Sequence, residues 1–188
     1  MDLALRPARE GDLPFLTEVY NQAIAAGNCT CDLDPVTEAD RRAFLRAHED
    51  PRCPLFLCLR EGEAVGYAYL SPYRPGRRAL ETVAEVSYYL DFRCRGQGIG
   101  SRLLPEMEAE ARKLGYETLL AILLASNGRS LALLRKNGYR EWGRLPAAAH
   151  LGGAADHGGV HHRFDLNAGL NDLTHHLAPD ILGLTHLI

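Results

Sequence analysis

The amino-acid sequence predicts a single α/β domain of α+β type, a mixed sheet with helices packed on it. Three observations carry this expectation. Apolar runs of strand length, Leu55–Leu59, Ala64–Leu70 and Thr118–Leu124, alternate with segments whose apolar residues recur at helical spacing. One strand, Thr82–Leu90, runs straight into a glycine-rich turn and then into an amphipathic helix. The 188 residues suffice for one domain with a sizeable core and are too few for two ordinary ones.

Leu3–Arg6 reads as the first strand. Asp12 is expected to cap a helix running to about Ala26, with Leu13, Leu16, Tyr20, Ala23 and Ile24 on one face. Pro14 falls in its first turn, where a missing N–H does no harm. A loop, Gly27–Val36, leads to a second helix, where Thr37 precedes Asp40 by three residues in an acidic variant of the capping box. The runs Leu55–Leu59 and Ala64–Leu70 form a hairpin about Glu61-Gly62-Glu63, and Ser71–Arg78 is a loop rich in proline and arginine.

After the glycine turn a helix reaches about Lys113, with Ile99, Leu103, Met107, Ala111 and Leu114 on one face. Pro105 removes the amide that would bond the Ser101 carbonyl, so a kink or loosening of the first turns is expected. Thr118–Leu124 is a buried strand, and Asn127–Lys136 a short helix ended by Asn137-Gly138. Tyr139–Leu145 and Val160–Leu166 close the sheet. The order is β-α-α-β-β-β-α-β-α-β-β. The domain is expected to span residues 1–166. Residues 167–188 form a tail in which Leu170, Leu173 and Leu177 are spaced for one short helix before Pro179.

Composition narrows the function. Hydrophobic residues at 46% and charged ones at 24% are the balance of a soluble globular protein. A formal net charge of -3 leaves no basic footprint for nucleic acid. No apolar run approaches the roughly 20 residues of a membrane span, and Met1–Pro7 lacks the layout of a secretory signal. A cytoplasmic protein with no membrane or nucleic-acid partner is expected. The five cysteines (Cys29, Cys31, Cys53, Cys58, Cys94) are odd in number and unpaired in spacing, which suits reduced thiols. His150, His157, His161, His162, His175 and His176 match no zinc pattern, so no metal is expected.

The turn Arg95-Gly96-Gln97-Gly98-Ile99-Gly100 has an anion-binding layout. Glycines let backbone N–H groups approach phosphate oxygens, and the helix N-terminus adds unpaired donors and partial positive charge. Arg93 and Arg95 add full charges beside it. The G-x-G-x-G spacing differs from the dinucleotide fingerprint, and no Gly-Lys-Ser/Thr follows. By itself such a turn can equally be structural.

Arg95-x-x-Gly98-x-Gly100 resembles the R/Q-x-x-G-x-G/A pyrophosphate motif of the GCN5-related N-acetyltransferases. The likeness extends to Tyr20-Asn21-Gln22-Ala23-Ile24, Asp32–Thr37, Asp40–Phe44, Gly66-Tyr67-Ala68, Pro72-Tyr73-Arg74, Glu85–Leu90, Asn127-x-x-Ser130 and Lys136–Tyr139. Together these are similar to the branch of phosphinothricin, methionine sulfoximine and methionine sulfone acetyltransferases, over about residues 3–145. The resemblance implies a mostly antiparallel sheet splayed into a V between the strand ending at Leu90 and Thr118–Leu124, and a homodimer. It implies acetyl-CoA, with the pyrophosphate on Arg95, Gly96, Gln97, Gly98, Ile99, Gly100 and Ser101. The pantetheine would lie along Tyr88, Tyr89 and Leu90, with Asn127 on the far wall. Asn127 can also simply cap its helix.

Acetyl transfer to an amine needs the amine neutral, so a base must take its proton. Glu85 matches the family's catalytic carboxylate, and its apolar neighbours predict a raised pKa; Glu81 is the substitute. Many members of the superfamily protonate the departing thiolate with a tyrosine whose matching position here is Leu134. Tyr139, Tyr88 and Tyr89 are near in sequence, and a dedicated acid is not required by a thiol of pKa about 8.5. Tyr73 and Arg74 resemble the family's substrate loop; Arg74, Arg77 or Arg78 can pair with an acceptor's carboxylate or phosphinate. Cys31 stands where the family has a phenylalanine, and Ala147–Gly159 replaces its Lys-Phe-Gly-Arg-Trp-x-Asp segment. The expected activity is acetyl-CoA-dependent acetylation of the α-amino group of a small amino acid or analogue. A peptide or protein N-acetyltransferase and a non-catalytic acetyl-CoA-binding regulatory module are the alternatives.

Overall fold

A computed structural model describes residues 3–145, 149–151, 155–156 and 159–165. The first half of the chain forms β1 (Leu3–Pro7), α1 (Leu13–Ala25), α2 (Glu38–Ala47), β2 (Leu55–Arg60), β3 (Glu63–Pro72) and β4 (Val83–Leu90). The second half adds α3 (Ile99–Lys113), β5 (Thr118–Leu124), α4 (Gly128–Lys136) and β6 (Arg140–Leu145). Three strands follow: β7 (Ala149–His150), β8 (Ala155–Asp156) and β9 (Gly159–Asp165).

Seven strands make one sheet in the order β1-β2-β3-β4-β5-β9-β6. Every neighbouring pair is antiparallel except β4–β5, which is parallel. That parallel contact is short. It joins Val83, Ala84 and Glu85 to Thr118, Leu119 and Leu120 and goes no further. Beyond it, β4 follows β3 as far as Leu90, while β5 follows β9 as far as Leu124. The two strands therefore part into a V with Glu85 at its fork.

Helices cover both faces. On one, Leu103, Leu104, Met107 and Ala111 of α3 and Leu134 of α4 pack with Val65, Ala68, Leu70, Ala84 and Val86. On the other, Leu13, Leu16, Val19, Tyr20 and Ile24 of α1 pack with Leu55, Leu57 and Tyr67. The alternation of strand side chains between faces thus sends Val86 to α3 and Tyr67 to α1.

The hairpin expected at Glu61-Gly62 is present, with both residues in the left-handed region. The capping box of α2 closes in both directions, Asp40 N donating to Thr37 Oγ1 and Thr37 N to Asp40 Oδ2. Asp12 differs from expectation. It ends a short 3-10 turn, Glu10–Asp12, and makes no cap bond to α1. Its carboxylate is engaged by both terminal nitrogens of Arg6, at 2.8 and 3.0 Å, and by the Arg9 amide at 2.8 Å. A two-pronged charged contact outcompetes a single cap bond. The helix α3 runs unbroken through Pro105, because only one hydrogen bond is lost while its buried face holds it to the sheet.

The β7–β8 hairpin was not foreseen, and β9 inserts between β5 and β6 rather than closing an edge. The tail 167–188, with its expected helix, lies outside the described residues. Among the described residues no helix is long and apolar enough to cross a membrane.

Candidate active site

The parting of β4 from β5 opens a cleft of about 1150 Å³, larger than most small-molecule sites. Its walls are Val86–Leu90 of β4, Ala121–Leu123 of β5, the turn from Arg95 to Ser101, and Asn127–Ser130 at the start of α4. Val19 and Ala23 of α1 and the following Ala26, Asn28 and Cys29 contribute as well.

The glycine turn forms the mouth. Gly96 and Gly98 have φ of 75° and 76°, a left-handed conformation that glycine adopts without the strain a Cβ adds. Gly98 sits at the N-cap of α3, so the unpartnered first N–H groups of that helix face the cleft with its positive dipole end. A Cβ on Gly100 would lie 2.5 Å from Leu133 Cδ2, so glycine there lets α3 and α4 close together behind the turn. Arg95 lies over the Phe92 ring and points Nη2 at Cys29 Sγ, 3.8 Å away. Main-chain donors, a helix dipole and a guanidinium thus share one concave surface, an arrangement that can hold a diphosphate.

Of the eleven residues expected to hold a cofactor, ten line the cleft. Gln97 does not; its side chain is bonded to Arg60 and to the Arg93 carbonyl at the exposed outer side of the turn. Asn127 lines the cleft and also caps α4, its Oδ1 accepting from Ser130 N at 3.2 Å. Both roles suggested by the sequence are compatible, because capping uses one oxygen and leaves the amide nitrogen.

Glu85 lies at the fork and its pKa is pushed up by burial to about 7. Ser71 and Pro72 pair with Glu85 and Ala84, and Tyr73 N donates to Val83 O. The Tyr73-Arg74 segment is thereby carried to the same end of β4. Arg74 is half-buried in a left-handed conformation (φ 50°) and lies near the Tyr73 ring. Arg77 and Arg78 are exposed, and so is Glu81, whose side chain pairs with Arg78. Cys31 is exposed and outside the cleft lining, whereas Cys29 and Cys94 both line the cleft.

The three nearby tyrosines separate. Tyr139 is buried in the core under α3. The Tyr89 ring stacks on Tyr67 and meets Tyr20 edge-on, on the α1 face. Tyr88 lines the cleft with Ser130 and Leu134, and burial pushes its phenol up to about 12. Asn28, Cys29 and Ser130 were missed from the sequence. Asn28 Nδ2 donates to Ser126 O across the cleft mouth, a contact between residues 98 apart in the chain that no local pattern signals. Among the described residues, no group of three or more His, Cys, Asp or Glu is placed to hold a metal.

The sequence model of the acetyltransferase (GNAT) family matches residues 20–139. The chain belongs to that family. It is an N-acetyltransferase by fold, motif and descent. It is 38% identical to YwnH of Bacillus subtilis over 152 residues, 80% of this chain and 92% of that protein. It is 30% identical over 147 residues to the L-methionine sulfoximine/L-methionine sulfone acetyltransferase of Pseudomonas paraeruginosa, covering 78% of this chain and 85% of the relative. The crystal structure of a GNAT superfamily phosphinothricin acetyltransferase from Sinorhizobium meliloti, in complex with AcCoA, superposes with a TM-score of 0.81 at 28% identity. That match covers 94% of this chain and 96% of the other.

Proposed function

We propose that this acetyltransferase moves an acetyl group from acetyl-CoA to the α-amino group of a small amino acid or amino-acid analogue. The observation that carries the reading is the fork itself: a diphosphate cradle at the mouth of the V and a carboxyl of near-neutral pKa at its base. When bound, acetyl-CoA supplies the acetyl thioester. Arg95 and the amides of residues 96–101 hold the diphosphate, the open edge of β4 at Tyr88, Tyr89 and Leu90 holds the pantetheine, and Asn127 closes the far wall.

Glu85 is the base. With a pKa of about 7 it is substantially ionised at neutral pH and can still accept a proton from an ammonium, directly or through a water. Its removal of that proton frees the lone pair that attacks the thioester. Arg74, carried to the same strand end, meets the acceptor's α-carboxylate, with Tyr73 beside it. The half-buried aromatic wall on this side of β4 favours a small acceptor over an extended peptide, and a tuned carboxyl at the fork favours turnover over a regulatory module. The reading also carries one domain over residues 1–166, a homodimer and a cytoplasmic setting; these rest on the sequence arguments alone.

The test is thiol release by purified protein with acetyl-CoA and a panel of free L-amino acids, alongside coenzyme A binding by calorimetry. Binding with thiol release on amino acids is expected. Absence of coenzyme A binding, or release only with peptides, sinks the reading.

A further inference from the structure

The cleft is more positive than the molecule that holds it. The chain has a formal net charge of -3. Yet the charged side chains among the described residues lining the cleft are two arginines, Arg95 and Arg129, with no Asp or Glu beside them. Arg93, close to the same glycine turn, is neutralised by Asp91 and Glu18. No carboxylate of the described residues is in ion-pair range of Arg95 or Arg129. Burial holds the Arg95 guanidinium below the ordinary arginine value, the Cys29 thiol opposes that shift, and the charge of Arg129 adds to it. The two cations are therefore near enough to repel, and an anion beside them relieves the repulsion.

They come from different walls of the mouth. Arg95 leads into the glycine turn, whereas Arg129 is the second residue of α4, just after the Asn127 cap, and is exposed. The first amides of α3, the helix dipole and Arg95 already suit one diphosphate. A second guanidinium on another wall suits a second phosphate. Coenzyme A carries one on its ribose, set apart from the diphosphate by the sugar. Such a monoester holds a charge of about -1.5 to -2 at neutral pH and three acceptor oxygens, which the planar guanidinium fork can meet with two parallel bonds.

Resting on the acetyl-CoA reading above, we propose that Arg129 receives the ribose phosphate of coenzyme A, so that the enzyme selects the complete coenzyme over dephospho-coenzyme A. Arg95 then serves the diphosphate alone. Arg129 is a specificity residue for the acetyl donor, and no bond is made or broken at it.

The experiment measures Kd by calorimetry for coenzyme A and dephospho-coenzyme A with the full chain, as wild type, Arg129→Gln and Arg95→Gln. One low ionic strength is used throughout, because the contact is exposed to screening. The wild type is expected to bind coenzyme A about 5- to 30-fold more tightly than the dephospho form, the worth of a charge-assisted bond reduced by solvent. Arg129→Gln should abolish that preference by weakening coenzyme A, with dephospho-coenzyme A changed less than about twofold. Arg95→Gln should weaken both forms alike and keep the preference. Equal affinities in the wild type, or a preference that survives Arg129→Gln, overturn the proposal. So do equal losses on both forms in Arg129→Gln, which place Arg129 on the diphosphate with Arg95. Should Arg129→Gln fail to fold, Arg129→Lys decides: a reduced preference is expected, since the charge stays and the fork is lost, and an unaltered one overturns the proposal. Failure of the acetyl-transfer reading looks different: neither form binds, or both bind and no thiol is released with any amino acid.

Discussion

The two faces of β4 present different kinds of chemical group. Towards α3 and α4, ligand contact is offered mainly by main chain: the glycine turn, the N-terminus of α3 and the open edge of β4. Towards α1 and α2 the proposed acceptor contacts are side chains, with Glu85 at the fork and the Tyr73-Arg74 segment at the same strand end. Backbone donors can be specified by very few residues, since almost any side chain can be tolerated provided the glycines are kept. Side-chain recognition has no such economy, because each group must be placed by a different element. On the acetyl-transfer reading proposed above, the difference teaches that the donor side is constrained by conformation and the acceptor side by composition.

Two carboxyls sharpen the contrast. Burial pushes both Glu85 and Glu108 to about 7. Glu85 is the last β4 residue paired with β5, whereas Glu108 is on α3, 3.8 Å from Arg112; neither is among the residues lining the cleft. Equal pKa values therefore do not imply equal roles, and position relative to the fork separates them.

The largest expected effect breaks the comparison at the fork. Glu85→Gln should lower kcat/KM about 10²- to 10⁴-fold with acetyl-CoA affinity unchanged, read by steady-state kinetics and calorimetry. In the wild type, kcat/KM should rise with pH through about 7 as Glu85 loses its proton, and this limb should vanish in Glu85→Gln. Unchanged activity would move the base elsewhere. Next in size is the main-chain side. Gly98→Ala forces a Cβ into φ 76°, at about 1–2 kcal/mol, and should weaken coenzyme A binding about tenfold while leaving the pH limb intact. A shifted limb with normal binding would show that the two faces are not separate.

The smallest effect is on stability. Both folded-state pKa values lie above the ordinary 4.5, so folding takes up protons. The stability from these two groups is complete below pH 4.5 and is lost as pH rises through about 7. In Glu108→Gln the fall in Tm between pH 4.5 and 8 should shrink by about 2–4 °C, with kcat/KM unaltered. An unaltered fall would mean that Glu108 is paired more fully than its contact with Arg112 indicates.

The elements legible in the sequence were those whose signal is local. The α2 capping box, the Glu61-Gly62 turn, the periodic faces of α1 and α3 and the glycine turn each lie within a few residues. What misled was competition between local and distant partners. Asp12 reads as a cap, but Arg6 at the end of β1 lies beside it and takes its carboxylate. Pro105 reads as a kink or loosening of the first turns, and the helix continues through it with Leu103, Leu104 and Met107 buried.

For this protein, the sequence alone marked the glycine turn before α3, because glycines and arginines ahead of a helix carry a local geometry, while a cofactor role for the turn came from the resemblance to a family. It also supplied Glu85 as a candidate. Only the tertiary structure decided that β4 and β5 part after three residues, that β9 enters between β5 and β6, and that Arg95 and Arg129 line one cleft. Those facts depend on which strands pair and which helices cover them, and pairing between residues far apart leaves no mark in any short stretch of chain.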